Sequence, residues 1–347
     1  MRLKRKFYNQ IYRTMLCIEI ETPGLLSTIQ DLGRFGYQRY GMPVSGAMDS
    51  QSLRLANLLV GNDPGAAGIE ATLMGPTLRF SASTRISLCG SGMQGMINDS
   101  VVPSYRALEV KEGDVLHFVG QESGCRMYIA LAGGVDVPVV MGSRSTFLRA
   151  GIGGHEGRAL RKGDVLPLGT SAGGGDTQYS DPQPEVAGSR LPVVPPEQLP
   201  LDPPDEVSMV RPELIPDYQS KEPIRIIPGP EVHRLASKGV ISLLTTEYRV
   251  SVNSDRMGYR LEGEAISLST PTADIISAGI AMGTIQVTGN GQPIILMADR
   301  QTTGGYVRAA VVASVDLGRV AQLRPGDTVT FAEISQEEAR ELFRTQQ

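Results

Sequence analysis

Tryptophan is absent from this chain, and three cysteines, three histidines and 5% aromatic residues are thinly spread over its 347 positions. Cys17, Cys89 and Cys125 are far apart and odd in number, which excludes a disulfide framework and a zinc knuckle built on cysteine pairs. Cys89 and Cys125 border apolar runs and read as small core residues, in keeping with a reducing cytoplasm. His117, His155 and His233 are isolated, so no pair has metal-ligand spacing, and no resident metal site is expected. There is no Gly-x-Ser-x-Gly elbow and no Gly-x-x-x-x-Gly-Lys-Ser/Thr loop, which removes two large classes of hydrolase. No stretch approaches the roughly 18 apolar residues of a spanning helix, so a soluble protein is expected. The formal charge is −4, yet Arg2, Lys4, Arg5, Lys6 and Arg13 meet no acid before residue 15. The remainder is therefore more acidic still, which argues against nucleic acid as a partner. Glu19 and Glu21 interrupt the apolar run from Met15, so residues 1–14 are not a secretory leader but a disordered basic extension.

Glycine is abundant, at 40 residues, beside many Val, Ile and Thr, a mixture suited to β-structure with tight turns. Cys17–Glu21 alternates like an edge strand ended by Pro23-Gly24. Asp49 is a suitable N-cap for a helix over Ser50–Val60, where Leu53, Ala56 and Leu59 or Val60 share a face and Gly61 is the stop. Three segments, Glu109–Phe118, Ala159–Leu168 and Gln322–Phe331, repeat one form: an apolar residue, a turn ending in Gly-Asp, then a strand. They read as three similar hairpins rather than as three catalytic aspartates. From Ser171 the pattern dissolves into Gly, Pro and scattered acids before β-structure restarts at Ile224. A short helix is expected over Pro230–Lys238 with Gly239 as its stop, and Ser335-Gln336-Glu337-Glu338 is a capping box for a terminal helix. The expected organisation is a first β-barrel domain at 15–170, a linker at 171–222 and a second β-barrel domain at 223–347. Long parallel crossovers are missing, which favours closed barrels with a few short helices over a doubly wound sheet.

One stretch, Gly289–Tyr306, stands out. Thr284–Thr288 alternates, Asn290-Gly291 can take positive φ, and Ile294–Ala298 is apolar throughout, as in a strand buried on both faces. Polarity then switches at Asp299, and Arg300, Gln301, Thr302, Thr303, Gly304 and Tyr306 follow. Two further runs share an order of acid, Arg, Gly and Tyr: Asp31–Tyr37, preceded by Gln30, and Asn253–Tyr259. Guanidinium forks and loop N–H groups of this kind bind carboxylate or phosphate, and a nearby Asp can move a proton. The plainer reading, Asp and Arg locking loops at a barrel rim, stands beside it. His155, in the glycine-rich loop Gly151–Gly157, is open to either reading.

The motifs Thr28–Tyr37, Gly46–Asp49, Asn57–Asn62, Ser254–Leu261 and Gly291–Ile294 through Gly305-Tyr306 together resemble the allophanate hydrolase subunit 2 family, also described as the biotin-dependent carboxyltransferase or KipA/PxpC family. The resemblance runs from Met15 to about Phe331. It implies two cyclophilin-like β-barrel domains with a cleft between them. It also implies one component of an ATP-dependent 5-oxoprolinase, which opens 5-oxo-L-proline to L-glutamate together with a KipI/PxpB-like partner and a PxpA-like partner. ATP and Mg2+ would then act at the level of the complex. Asp31, Arg34, Arg256 and Asp299 would be the catalytic set, the Arg residues on anions and Asp31 or Asp299 as base or Mg2+ ligand. Gln30, Tyr259, Gln286, Arg300, Gln301, Thr302, Thr303, Gly304 and Tyr306 would bind substrate. Two other functions run in relatives: a carboxyltransferase of the urea carboxylase type, and an antagonist of a kinase-inhibitor protein. No Ala-Met-Lys-Met occurs here, so any biotin would come from another chain and no covalent cofactor is expected on this one.

Overall fold

The computed structural model describes residues 16–120, 123–169, 209–270 and 272–346. The basic extension and most of the expected linker lie outside the described residues. The chain divides into two compact units, one of Met1–Gly36 with Ser50–Pro216, the other of Tyr37–Asp49 with Asp217–Gln347.

The first unit is built from β1 (Cys17–Thr22), β2 (Leu26–Gln30), β3 (Gly68–Thr72), β4 (Thr77–Phe80), β5 (Thr84–Gly90), β6 (Met93–Ile97), β7 (Ser100–Val101), β8 (Ala107–Val110), β9 (Val115–Gly120), β10 (Arg126–Leu131) and β11 (Val165–Pro167). They form two sheets, ordered β11-β1-β4-β9-β6-β7 and β2-β3-β10-β5-β8. Strand β1 is interior, paired with β11 on one side and β4 on the other, and not the expected edge. Its alternation marks one wet face, Glu19 out and Ile18 and Ile20 in, and a wet face says nothing about how many neighbours a strand has. Helix α1 (Ser50–Leu59) falls where the 3.6-residue period places it, with Leu53, Ala56 and Leu59 buried. Ser87 Oγ on β5 donates to the Ala56 carbonyl at 2.5 Å. Cys17, Cys89 and Cys125 are buried and free.

The second unit contains β12 (Ile224–Pro228), β13 (Tyr248–Val250), β14 (Gly258–Glu262), β15 (Asp274–Gly279), β16 (Thr284–Val287), β17 (Pro293–Leu296), β18 (Thr303–Val312), β19 (Thr328–Val329) and β20 (Phe331–Glu333), with α2 (Ser237–Thr245), α3 (Leu317–Ala321) and α4 (Gln336–Gln346). Its strands make one nearly closed sheet ordered β19-β13-β14-β17-β16-β18-β12-β20, with β15 paired to β18. The expected fold class, mainly β with a few short helices, is the one observed. The capping box forms: Ser335 N–H donates to Glu338 Oε2 at 2.7 Å, and Glu338 N–H to Ser335 Oγ at 3.1 Å.

The three Gly-Asp segments share one turn. In each, the Asp carboxylate accepts the N–H three residues back, from Lys111, Arg161 and Arg324 at 2.9, 2.7 and 2.8 Å. Each glycine is left-handed, with φ of 86, 87 and 95°, and donates its N–H to a strand carbonyl, of Phe80, Ile20 and Val250. They are not hairpins. The strand after each turn pairs elsewhere, β9 with β4 and β6, β11 with β1, β19 with β13. The turn is held by docking on a distant strand.

Two other expectations change. Gly239 does not stop a helix over 230–238; a 3-10 turn at Val232–Arg234 precedes α2, and Gly239 lies inside α2. A Cβ there would stand 2.1 Å from the Ser267 carbonyl oxygen, so the glycine permits close approach of two backbones. The β16–β17 connection is the five-residue turn Thr288–Gln292, in which Gly291 alone takes positive φ, at 78°. Asn290 contributes its side chain instead, accepting from Thr288 Oγ1 at 2.5 Å and Gln292 N–H at 3.2 Å.

Gly163→Ala meets no atom within 4 Å but keeps a left-handed φ, so it should cost about 1–2 kcal/mol in urea unfolding from backbone strain alone. Gly239→Ala, despite the better helix propensity of alanine, should cost more because backbone must move. Strand β18 is pinned by Arg308, whose Nε donates to Glu231 Oε2 at 2.7 Å. That hydrogen bond, partly offset by burial, holds the Glu231 carboxyl below its ordinary value of 4.5. The pair therefore stabilises the fold at neutral pH and is lost as pH falls through the depressed value. The stability gap between wild type and Glu231→Gln should shrink between about pH 6 and about pH 3.

Candidate functional site

Two polar clusters form at the ends of buried strands, one in each unit. In the first, β2 delivers Gln30 and Asp31, and the chain turns back through Gly33, left-handed at φ 106°. Asp31 is 3% exposed, and its carboxylate meets four protein donors. Oδ1 accepts Gly33 N–H at 2.8 Å, Ser143 Oγ at 2.7 Å and Ser145 Oγ, while Oδ2 accepts Arg144 N–H at 2.5 Å. Arg34 is fully buried. Its Nε donates to the Val140 carbonyl at 3.2 Å and its Nη2 to the Ser145 carbonyl at 2.7 Å. Gln30 Nε2 donates to Thr28 Oγ1 at 3.0 Å and to the Thr146 carbonyl at 3.2 Å. All three residues thus fasten the end of β2 to segment 140–146.

Asp31 is accordingly a loop anchor, and the role of base or Mg2+ ligand does not fit a carboxylate already committed to the loop. Gly153 completes the cluster: a Cβ there would lie 2.6 Å from Arg34 Nη2 and 2.1 Å from the Ser145 carbonyl oxygen. His155 takes the structural alternative, with Nε2 3.5 Å from Asp164 Oδ1, a carboxylate that also receives both Nη1 and Nη2 of Arg158 at 2.7 and 2.9 Å. Ser143, Arg144 and Ser145 do not stand out in the sequence. Ser143-Arg144-Ser145-Thr146 has neither a strand nor a helix period, and its four polar residues are its one visible signal.

In the second unit the stretch after β17 does not emerge into solvent. Asp299 and Arg300 are 4% and 9% exposed. Arg256 grips Asp299 with two bonds, Nε to Oδ2 at 3.0 Å and Nη2 to Oδ1 at 3.2 Å, and Asp299 N–H returns a bond to the Arg256 carbonyl at 2.8 Å. Arg256 Nη2 also donates to the Gly46 carbonyl at 2.6 Å, and Ser45 N–H donates to the Ala298 carbonyl at 3.1 Å. The fork therefore ties segment 37–49 to the ends of β14 and β17. Asp299 is thus held as the counter-ion of Arg256, each oxygen accepting one guanidinium bond.

Arg300 differs from Arg256 in its partners. Its Nε donates to the Ile280 carbonyl at 3.2 Å and its Nη1 to the Met297 carbonyl at 3.3 Å, and no carboxylate faces it among the described residues. Burial lowers it to about 10, which leaves it protonated at neutral pH. Close by, a Cβ on Gly304 would meet Ile280 Cδ1 at 2.5 Å, Gln286 Nε2 at 2.8 Å and Gln301 Nε2 at 3.3 Å. Two carboxamides thus approach one glycine, and Arg300 is bonded to the backbone of Ile280, whose side chain approaches the same glycine; a buried cation with no acid among the described residues is suited to an anionic ligand. Thr302 offers its carbonyl to Ile280 N–H at 3.1 Å, and Thr303 is exposed where β18 meets β15. Tyr306 offers its carbonyl to Gln286 Nε2 at 3.5 Å and lines a cavity of about 420 Å3 with Asn253, Arg260, Asn290 and Gln292. Tyr259 is 3% exposed, packs in the core and donates to the Ala321 carbonyl at 3.2 Å.

Among the described residues no three His, Cys, Asp or Glu side chains are disposed around a metal ion. With Asp31 and Asp299 committed to protein donors, the residues present do not fit a resident divalent cation. Arg256→Ala, which the sequence marks as a probe of activity, should instead act on folding, because it leaves Asp299 buried and unpaired. The expected cost is about 3–5 kcal/mol in urea unfolding, and the double change Arg256→Met with Asp299→Leu should recover most of it.

The carboxyltransferase domain pattern, subdomains A and B, matches residues 40–333. The chain is 36% identical over 331 residues to the C component of the Escherichia coli 5-oxoprolinase, covering 95% of each. It is 35% identical to the urea amidolyase of Lachancea kluyveri, over 94% of this chain and 17% of that one. The crystal structure of the Kluyveromyces lactis urea carboxylase superposes with a TM-score of 0.81 at 34% identity, covering 96% of this chain and 28% of that one. The chain therefore spans nearly the whole of one kind of relative and a small part of the other. By the extent of these matches, it belongs to the family of carboxyltransferase domains with subdomains A and B.

Proposed function

We propose that the protein is a non-autonomous component of an ATP-dependent 5-oxoprolinase, a cytoplasmic hydrolase complex that opens 5-oxo-L-proline to L-glutamate. The observation that carries this reading is Arg300, a buried cation facing no acid among the described residues, together with the near-complete, two-way coverage of the 5-oxoprolinase relative. The substrate is a small ring bearing one carboxylate. A guanidinium already desolvated in the fold binds such a group more strongly than one in water, because the competing solvent has been removed in advance. Gln286 and Gln301, whose Nε2 groups approach Gly304, supply neutral donors suited to the lactam.

A lactam is a stable amide, and its hydrolysis at neutral pH needs activation. ATP with Mg2+ supplies it in the complex, by our reading on the partner chains, since the carboxylates of this chain do not fit the metal. The partners are a KipI/PxpB-like protein and a PxpA-like protein. The similarity to urea amidolyase favours a second reading, a carboxyltransferase that takes its carboxyl group from biotin on another chain.

Co-expression with the KipI/PxpB-like and PxpA-like partners should give glutamate release from 5-oxoproline that requires ATP. Release that is absent with ATP, but carboxyl transfer from a biotinylated carrier, would favour the second reading. Within the assembly, Arg300→Gln should raise the KM for 5-oxoproline roughly 10–100-fold, the worth of one or two charge-assisted hydrogen bonds. Because no acid is left unpaired, its melting temperature should equal or exceed that of wild type. Unchanged KM would remove Arg300 from the site.

A further inference from the structure

Ser45 combines two unfavourable features that the fold does not require. Its φ is 56°, in the left-handed region that favours glycine, and the next residue, Gly46, is left-handed as well at 84°. It is also 5% exposed, and its Oγ has no hydrogen-bond partner among the described residues. Glycine at this position would follow the same backbone path without strain, and alanine would leave no hydroxyl unsatisfied. Serine is the wrong residue for a turn alone. The backbone around it is fully used: Ser45 N–H is held by the Ala298 carbonyl, and the Gly46 carbonyl by Arg256. Met48, three residues on and 1% exposed, roots the segment in the core of the second unit. The hydroxyl is thus rigidly placed yet uncommitted.

Ser45 and Arg300 bond to neighbouring carbonyls of one turn. The turn Met297–Arg300 holds both groups through consecutive carbonyls, Met297 accepting Arg300 Nη1 and Ala298 accepting Ser45 N–H. A hydroxyl both donates and accepts, which matches an amide that presents a carbonyl oxygen and an N–H. We propose that Ser45 is a substrate-binding residue whose Oγ hydrogen-bonds the amide of a small cyclic-amide carboxylate, the carboxylate being held by Arg300. The proposal rests on the 5-oxoprolinase reading and adds to it a residue on segment 37–49. Strain and an unsatisfied hydroxyl at one residue are features that proteins retain where a ligand completes the bonding.

The test compares wild type, Ser45→Gly and Ser45→Ala in the assembled complex, with the KM for 5-oxoproline and for ATP measured separately and the melting temperature taken on the full chain. Ser45→Gly should melt higher than wild type, from release of the left-handed strain, yet raise the KM for 5-oxoproline about tenfold with the KM for ATP unchanged. Ser45→Ala should show the same KM split. Kinetics within about twofold of wild type in both variants would overturn the proposal and leave Ser45 a turn residue with a buried water. A rise in both KM values together with a lower melting temperature would overturn it too, as a structural effect. If the wild-type complex does not turn over 5-oxoproline, the functional reading fails and this proposal with it, whereas wild-type turnover insensitive to Ser45 sinks this proposal alone.

Discussion

The second unit depends on the fork between Arg256 and Asp299. Two charges at 5% and 4% exposure are costly to desolvate, and only a bidentate pair with further backbone bonds makes the arrangement tolerable. That requirement organises what surrounds it. Arg256 must be carried to the pair by the turn before β14, Asp299 by the end of β17, and segment 37–49 must bring the Gly46 carbonyl to the same guanidinium. The segment lies far from both in sequence, and the ion pair gives it a fixed seat.

The first unit solves the same problem with different chemistry. There an aspartate at the end of a buried strand is satisfied by two serine hydroxyls and two backbone N–H groups, and the nearby arginine donates to two carbonyls. Both clusters end a buried strand with a charge and then neutralise or cap that charge locally. Arg300, like Arg34, is bonded to carbonyls, whereas Ser45 has an open hydroxyl. One is a buried cation without an acid, the other a buried hydroxyl without a partner among the described residues. They are held by one turn, and a ligand meeting both would complete what the protein leaves unfinished there.

Much of the secondary structure is legible because it rests on local periodicity and local bonds. Helix α1, the capping box of α4 and the apolar run of β17 depend on residues within a few positions of one another. The misreadings have non-local causes. Alternation reports one wet face and is blind to neighbours in the sheet, so it makes β1 look like an edge. Gly239 looks like a stop because its real task, admitting the Ser267 carbonyl, involves a residue 28 positions away in sequence.

The echo between Asp31–Tyr37 and Asp255–Tyr259 shows the same limit at the site. Amino-acid order alone places acids, arginines and glycines at strand ends, makes the chain mainly β, and marks Gly289–Tyr306 as its most polar strand exit. The folded chain was needed to learn that Arg34 bonds to carbonyls while Arg256 bonds to Asp299, that Tyr259 is core, and that Arg300 faces no acid among the described residues. Pairing is decided by which groups arrive within about 3 Å of one another, and that depends on chain segments more than a hundred residues apart, such as Arg34 with Ser145 and Arg256 with Gly46.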